Sequence, residues 1–302
     1  MVGIPQDFAL SVAEREGEPG RVWIESLPDL IDEFLLRWRC TPTAPISRGK
    51  VGVIVPVQRA DGVPAVLKIS FTHPGNRYEA EAFATWNGRG AVLLYERDDA
   101  QFAMLLEQAE WQTLDDLGDV YQATAAIGQL ARRLAVTAPP NLPRLADRAD
   151  EWDQTLREDT ETLGHPLSEH ALGAALATIQ DLGRGQPETM VHGDLHFGNV
   201  VRAQREPWLV IDPKGLAGDL ASDSFRVLVR GAESLLAADN LEAELLRRLS
   251  IFAKAAEVER ERVIRWAQLD SMIGAYYSRK FHAAAWITHA HDQVTELLAR
   301  HL

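Results

Sequence analysis

The sequence lacks several features that would each indicate a particular class of protein. It has a single cysteine, Cys40, in 302 residues, which excludes an internal disulfide framework and a zinc site built from cysteines. It has no run of about 18 apolar residues that could span a membrane. Residues 1–20 carry acidic side chains and lack the apolar stretch of a signal peptide. We therefore expect a cytoplasmic protein without a membrane partner.

Basic residues are also few. Lysine and arginine total 31 against 44 aspartates and glutamates, which gives a net charge of −13. Because proteins that bind nucleic acid usually present a basic face, this balance argues against a nucleic-acid partner. It is compatible with a cationic small substrate, although acidity also serves solubility alone. A hydrophobic content of 46% with 25% charged residues is typical of a folded globular chain.

The first third of the chain has a strand-like pattern. Residues 51–70 form two β-rich runs around "ADG", and residues 91–108 form two more around "RDDA", so each segment predicts an antiparallel hairpin. Between them, residues 75–90 predict a helix that stops at Gly88. We expect a small β-rich lobe over residues 1–108.

The rest of the chain is mostly helical in pattern. Residues 222–254 and 257–300 are long amphipathic stretches, and one β-rich segment, 189–212, interrupts the helical region. We expect a large helical lobe over residues 109–302. The two patterns together predict an α+β protein with two lobes.

The segment "MVHGDLHFGNVV", residues 190–201, places polar side chains between apolar runs. Asp194 and Asn199 stand five residues apart, and Asp212 follows a second apolar run. Phosphoryl transfer requires a carboxylate near the acceptor hydroxyl and hard oxygen ligands for Mg²⁺ on the nucleotide phosphates. The spacing therefore favours Asp194 facing an acceptor, with Asn199 and Asp212 as metal ligands.

Two other interpretations of this segment are weaker. His192 and His196 are four residues apart, as in a helical metal-binding pair, but no glutamate follows His192 and glycines interrupt the segment. Asp194 and Asn199 could each merely close a turn. The presence of Asp212 makes this turn-closing role less favoured, because the three residues together supply the oxygen groups that phosphoryl transfer requires.

The segments "VHGDLHFGNVV" and "LVIDPKGLAGDLASD" resemble the catalytic and metal-binding segments of the aminoglycoside phosphotransferase family. The branch that holds streptomycin 6-phosphotransferases and hydroxyurea phosphotransferases is the most similar. The resemblance implies a bilobal protein-kinase-like fold, with Asp194 as the catalytic aspartate and Asn199 and Asp212 as the metal ligands. It further implies that His192 and Asp223 support the catalytic loop.

The resemblance also points to nucleotide-binding residues in the first lobe. A kinase lobe needs a strand lysine for the α- and β-phosphates and an acidic partner for that lysine, and "AVLKIS" supplies Lys68. Glu79 and Glu81 are both candidate partners. Because Glu79 shares its helical face with Phe83 and Trp86, Glu79 is the predicted partner.

The other nucleotide-binding candidates flank the adenine and the phosphates. They are Gly49 and Gly52 in the loop over the phosphates, Met104 beside the adenine, and Glu107 and Ala109, whose backbone groups would bond the adenine edge. Lys214 could contact a phosphate or point to solvent, and the sequence favours neither role.

The predicted function is an ATP-dependent kinase that uses Mg²⁺ and phosphorylates a small hydroxylated molecule. From the resemblance, a streptomycin-like aminocyclitol is the first candidate acceptor and a hydroxyurea-like compound the second. A non-catalytic nucleotide-binding protein is disfavoured because Lys68, Asp194, Asn199 and Asp212 are all present. A protein kinase is disfavoured because no "APE"-like segment follows Asp212 and because the predicted helix near Ser222 begins too soon after Asp212 to leave room for an activation segment.

Acceptor contacts are predicted in the last third of the chain. The candidates are Asp270, Tyr276, Tyr277 and Trp286, which could pair a cationic group with a carboxylate and aromatic faces. The alternative is that these aromatic residues form helix core. The pattern gives no prediction of the oligomeric state.

Overall fold

The computed structural model describes residues 4–49, 51–230 and 235–302. The chain divides into two compact units. The first contains the residues up to Glu110 together with Ala203–Lys214, and the second contains Trp111–Arg202 and Gly215–Leu302.

The first unit is built on an antiparallel sheet. Its strands lie in the order β1-β3-β4-β6-β5, and β2 also pairs with β3. Their bounds are β1 Cys40–Pro42, β2 Ser47–Arg48, β3 Gly52–Arg59, β4 Pro64–Ser70, β5 Leu94–Asp98 and β6 Ala103–Glu107. The β3–β4 and β5–β6 pairs confirm both predicted hairpins. In the register of β4 with β6, Lys68 stands opposite Met104.

The described residues of this unit also form two α-helices. Helix α1, Gln6–Arg37, is interrupted at Gly17, whose φ is 64°, and it was not predicted. It buries Phe8, Leu27 and Phe34 in one core with the inward side chains of β3, β4 and β6. Helix α2, Glu79–Trp86, confirms the predicted helix and ends at Asn87 in the left-handed conformation. A short strand, β9 Trp208–Val210, also belongs to the unit and bridges to Ala91 through Val210.

The second unit consists mainly of helices, several of which pack against one central helix. Its helices are α3 Val120–Leu134, α4 Ala149–Thr162, α5 Glu169–Thr178, α6 Ser224–Arg230, α7 Leu241–Ala256, α8 Arg260–Lys280 and α9 Ala285–Ala299. Helix α8 packs against α5, α6, α7 and α9, and its Trp266 and Tyr276 are buried. Three short strands complete the unit: β7 Met190–Val191 pairs antiparallel with β10 Leu216–Ala217, and β8 spans Val200–Arg202.

The two long amphipathic stretches of the sequence are each divided in the structure. Helix α6 spans Ser224–Arg230 and α7 spans Leu241–Ala256, and a turn over residues 237–240 precedes α7. The N-cap of α7 is Asn240, whose side chain accepts from the Ala243 amide at 3.0 Å. Residues 231–234, within the predicted stretch 222–254, lie outside the described residues. The stretch 257–300 breaks after Lys280, where His282 adopts a positive φ of 51°. Among the described residues, no helix has both the length and the hydropathy that crossing a lipid bilayer requires.

Candidate active site

Lys68 lies between two carboxylates in the first unit. Its Nζ is 2.5 Å from Glu79 Oε1 and 2.5 Å from Asp212 Oδ1. Strand β4 carries Lys68, Glu79 is the first residue of α2, and Asp212 follows β9. Glu81, the alternative partner in the sequence, instead pairs with Arg97 at 3.0 Å. The structure therefore brings Lys68 together with Glu79 and Asp212.

Burial and charge act in opposite directions on this cluster. Burial acts to lower the pKa of Lys68, but the carboxylates of Asp212 and Glu79 outweigh it and raise that pKa above its ordinary value. Burial also raises the pKa of Glu79, against the opposing effect of Lys68. The lysine is consequently held as a cation at any physiological pH.

Asp212 differs from Glu79 in its exposure. The Glu79 side chain is 4% exposed, whereas that of Asp212 is 49% exposed. Asp212 also adopts a positive φ of 56°, which is uncommon for a residue with a side chain. Near it, the Lys214 ammonium lies beside Gly75, where a Cβ would come within 3.6 Å of Nζ. Asp212 thus offers a carboxylate that solvent and ligands can reach.

The predicted catalytic loop lies in the second unit and is held by backbone hydrogen bonds. The Asp223 carboxylate accepts from the amides of His192 at 3.0 Å and Gly193 at 2.9 Å. The amide of Asp194 donates to His192 Nδ1 at 3.2 Å, and Asn199 Nδ2 donates to the Asp194 carbonyl at 2.9 Å. The loop is therefore fixed at its start by Asp223 and across its turn by Asn199.

Asp219 anchors the segment that carries Asp223. Its Oδ2 accepts from Arg262 Nε at 2.5 Å and from Trp266 Nε1 at 2.6 Å, both on α8. Its Oδ1 accepts from the Ala221 amide at 3.0 Å and caps the 3₁₀ turn Leu220–Asp223. The position of Asp223 is consequently set by the core helix α8 through a buried carboxylate.

Arg226 brings a positive charge to this loop. Its Nε lies 3.8 Å from Asp194 Oδ1, and its side chain is 49% exposed. Burial raises the pKa of Asp223 to about 6, although the two amide donors and Arg226 oppose that shift. The carboxylates of Asp194 and Asp223 and the guanidinium of Arg226 therefore interact electrostatically at the catalytic loop.

The predicted phosphate loop follows β2. The Gly49 amide donates to the Gly52 carbonyl at 2.9 Å, and Arg48 pairs with Asp7 of α1. Gly52 leaves no room for a side chain, since a Cβ there would lie 2.6 Å from Ser70 Oγ. Residue 50, in the middle of the loop, lies outside the described residues.

The predicted adenine contacts lie along and after β6. Met104 is buried and shares the sheet face of Lys68, because residues opposite each other in an antiparallel pair point to the same side. The Glu107 carboxylate accepts from the Leu93 amide at 3.0 Å and from Arg205 Nη2 at 2.9 Å. Ala109 follows the strand and is partly exposed.

Comparison with known proteins identifies the family. A family model described as aminoglycoside/hydroxyurea antibiotic resistance kinase matches residues 37–280. The chain belongs to this family. It is 32% identical to a streptomycin 6-kinase from Streptomyces glaucescens, over 95% of this chain and 91% of the relative. It is 31% identical to a hydroxyurea phosphotransferase from Kitasatospora aureofaciens, over 88% of this chain and 77% of the relative.

The solved structures identify the fold. A choline kinase from Streptococcus pneumoniae matches with a TM-score of 0.58 at 12% identity, covering 91% of this chain and 99% of that one. The predicted α+β, bilobal protein-kinase-like fold is confirmed, with a small antiparallel sheet in one lobe and helices in the other. The predicted phosphotransferase class is confirmed by the family.

The structure places the kinase's four acceptor candidates in different surroundings. Tyr276 is buried, and its hydroxyl is 2.7 Å from Thr160 Oγ1. Tyr277 is exposed and packs on Phe281, with ring centroids 4.3 Å apart. The remaining two are Trp286, which is exposed and borders an apolar cavity, and Asp270, which is partly buried on α8.

Residues that contact the kinase's catalytic loop or anchor its support were missed in the sequence, among them Arg226, Arg262 and Trp266. Arg226 stands three residues after Asp223, so the helical spacing alone could have placed it on the same face. The bond from Trp266 to Asp219 joins residues 47 positions apart, and no local pattern indicates it.

Proposed function

We propose that this kinase transfers the γ-phosphoryl group of ATP to a hydroxyl of a small polar acceptor. Streptomycin-like aminocyclitols are the first candidate acceptors and hydroxyurea-like compounds the second. The observation that carries the proposal is Lys68 held between Glu79 and Asp212. We assign nucleotide binding to the lobe of residues 1–108 and the acceptor to the lobe of residues 109–302. The cytoplasmic location stays a prediction.

Lys68 is suited to bind phosphate because its two carboxylate partners leave one N–H donor of the ammonium for a ligand. An ammonium has three donors, and two of them point to Glu79 and Asp212. The third would bond a phosphate oxygen, as the strand lysine of a kinase does. Since its partners hold the pKa of Lys68 above its ordinary value, the charge needed there does not depend on pH.

The donor set also fits Mg²⁺. Asp212 supplies a half-exposed carboxylate, and the amide nitrogen of Asn199 is used by the Asp194 carbonyl, so its oxygen is oriented for a ligand. No cluster of three or more His, Cys, Asp or Glu residues occurs in the described part of the chain. Mg²⁺ usually takes only one or two protein oxygens beside the phosphates of its nucleotide, and the carboxylate of Asp212 and the amide oxygen of Asn199 are such ligands. When bound, the ion would neutralise charge that develops on those phosphates.

Asp194 would orient the acceptor hydroxyl. In the transfer, a bond forms between the acceptor oxygen and the γ-phosphorus, and the bond from that phosphorus to the bridging oxygen of ADP breaks. The hydroxyl proton passes to Asp194 late in the step. The hydrogen bonds of Asp223 and Asn199 fix the backbone on both sides of Asp194, so the carboxylate needs little reorganisation.

The test is incubation with Mg-ATP and either streptomycin or hydroxyurea, followed by mass spectrometry for one added phosphate and by measurement of ADP. The Asp194→Asn variant serves as the matched control. We expect a phosphorylated product with the wild type and at least about a hundredfold slower formation of it with the variant. If ATP binds but neither compound nor a panel of hydroxylated molecules is phosphorylated, the chain is a nucleotide-binding protein and the proposal fails.

A further inference from the structure

Arg226 places a guanidinium beside the carboxylate of the catalytic loop. Its Nε lies 3.8 Å from Asp194 Oδ1, which is beyond hydrogen-bond range, and its side chain is 49% exposed. By contrast, Arg279 on α8 donates from both terminal nitrogens to Asp292 on α9, at 2.8 and 2.7 Å. The guanidinium of Arg226 is therefore close to Asp194 but does not use its N–H donors on that carboxylate.

The backbone of Arg226 is fixed, although its side chain reaches solvent. Arg226 is the third residue of α6, which begins directly after Asp223, and the Asp223 carboxylate accepts from two amides of the catalytic loop. Its helical neighbours Phe225 and Leu228 are buried, and α6 contacts both α8 and the turn Phe197–Asn199 of that loop. The fold thus holds an exposed guanidinium at a defined place beside the loop.

Phosphoryl transfer brings further negative charge to this place. The bond that forms joins the γ-phosphorus to the acceptor oxygen, so the phosphoryl group must come within bonding distance of the hydroxyl that Asp194 orients. The carboxylates of Asp194 and Asp223 both repel that group, and the repulsion grows as water leaves the site. The guanidinium of Arg226, 3.8 Å from the Asp194 carboxylate, is within reach of the phosphoryl oxygens and has the opposite charge.

We propose that Arg226 is a catalytic residue whose guanidinium binds oxygens of the phosphoryl group as it moves from ATP to the acceptor. The inference rests on the proposed function and adds to it a residue outside the two segments that resemble the family's motifs. An arginine presents a planar fork of N–H donors that matches phosphate oxygens. Arg226 exchanges no proton in the step: the hydroxyl proton passes to Asp194, and the guanidinium stabilises charge spread over the equatorial oxygens.

The experiment compares the wild type with Arg226→Met, Arg226→Lys and Arg184→Met. Arg184 is exposed and pairs with Asp150 at 2.7 Å in the same unit, so its variant removes an equal charge from another surface pair. Turnover is measured as ADP release with streptomycin and with water alone as the acceptor. Calorimetry gives the affinities for Mg-ADP and for Mg-ADP with aluminium fluoride, which mimics the transferring phosphoryl group. The melting temperature is measured on the same proteins.

We expect Arg226→Met to lower kcat about a hundredfold. Its affinity for Mg-ADP should be unchanged, whereas its affinity for the fluoride complex should fall at least about tenfold, because only that complex carries the phosphoryl mimic. Arg226→Lys should recover part of the rate, since it keeps the charge but not the fork. The melting temperature should hardly change, because an exposed pair 3.8 Å apart contributes little to stability. Arg184→Met should behave as the wild type.

The same calorimetry in the Asp194→Asn background separates a phosphoryl contact from mere positioning of Asp194. A direct contact predicts that Arg226→Met still weakens the fluoride complex when the Asp194 carboxylate is absent. Loss of the effect in that background overturns the inference. Equal kcat, or equal affinity for the fluoride complex, in Arg226→Met and the wild type also overturns it. If the wild type still phosphorylates an acceptor in those cases, the proposed function stands, whereas no ADP release with every acceptor tested refutes both.

Discussion

Replacing Lys68 by methionine should destabilise the protein by about 3–5 kcal/mol at pH 8, because it leaves the Glu79 carboxylate buried without its cation. The two side chains are 11% and 4% exposed, with Nζ 2.5 Å from Oε1, so water cannot replace the lost partner. Methionine keeps the length of the side chain and fills most of its space. The pair to Asp212 adds less than about 1 kcal/mol to this loss, since a half-exposed carboxylate regains its hydration.

The double variant separates the charge from the packing. Glu79→Leu alone should cost less than Lys68→Met, because Lys68 keeps Asp212 as a partner. The combination Lys68→Met with Glu79→Leu should lie within about 2 kcal/mol of the wild type, since it removes both buried charges together. The coupling between the two substitutions should then exceed about 2 kcal/mol.

The pH dependence gives a second check. Burial already raises the pKa of Glu79 in the wild type, and without Lys68 only the weaker charge of Lys214 opposes that shift. An acid whose pKa is raised by folding contributes stability at low pH and loses it as pH rises through the folded-state pKa. The deficit of Lys68→Met relative to the wild type should therefore be larger at pH 8 than at pH 5.

The assay is urea unfolding followed by tryptophan fluorescence and circular dichroism at pH 5, 6.5 and 8. Glu81→Gln is the matched control, because Glu81 lies on the same helix in a surface pair with Arg97 and should change stability by less than about 1 kcal/mol. The reasoning is refuted if Lys68→Met lies within about 1 kcal/mol of the wild type at pH 8, or if the two substitutions are additive.

Three further predictions concern the catalytic and metal-binding residues. Asp194→Asn should lower turnover at least about a hundredfold while ATP still binds, and unchanged turnover in the purified variant would contradict the assignment. ATP affinity measured by calorimetry should depend on Mg²⁺ in the wild type and much less in Asp212→Ala; equal wild-type affinity with and without Mg²⁺ would remove the role of Asp212. Because burial raises the pKa of Asp223 to about 6, its titration should cost the fold about 3 kcal/mol as pH rises from 4 to 7. Asp223→Asn should flatten that part of the stability profile, and identical slopes in the two proteins would show that Asp223 does not titrate there.

The sequence predicted the elements whose signals are local. The hairpins at 51–70 and 91–108 follow from short apolar runs around turn residues, and both form as predicted. The choice of Glu79 over Glu81 needed only the helical spacing to Phe83 and Trp86, and in the structure Glu79 is the residue that contacts Lys68. In both cases the residues that carry the information lie close together in the sequence.

Other features depend on contacts between distant residues. Helix α1 contains Pro19 and Pro28 and is interrupted at Gly17, all of which argue locally against a helix. It is stabilised by burying side chains such as Phe34 against the sheet, which no window of sequence contains. The stretch 257–300 likewise divides into α8 and α9 at residues 281–284, where His282 has a positive φ, although the amphipathic pattern predicted one continuous stretch.

The contacts of Lys68 and the support of the catalytic loop differ in how far the sequence indicates them. The charge of Lys68 is balanced by Glu79 and Asp212, and acidic residues near a strand lysine can be sought in a sequence. The carboxylate of Asp219 instead accepts from the indole of Trp266, 47 positions away on α8. Because a tryptophan carries no charge and stands at no fixed spacing from Asp219, its role as a donor becomes visible only once α8 is seen to pack against the turn Leu220–Asp223.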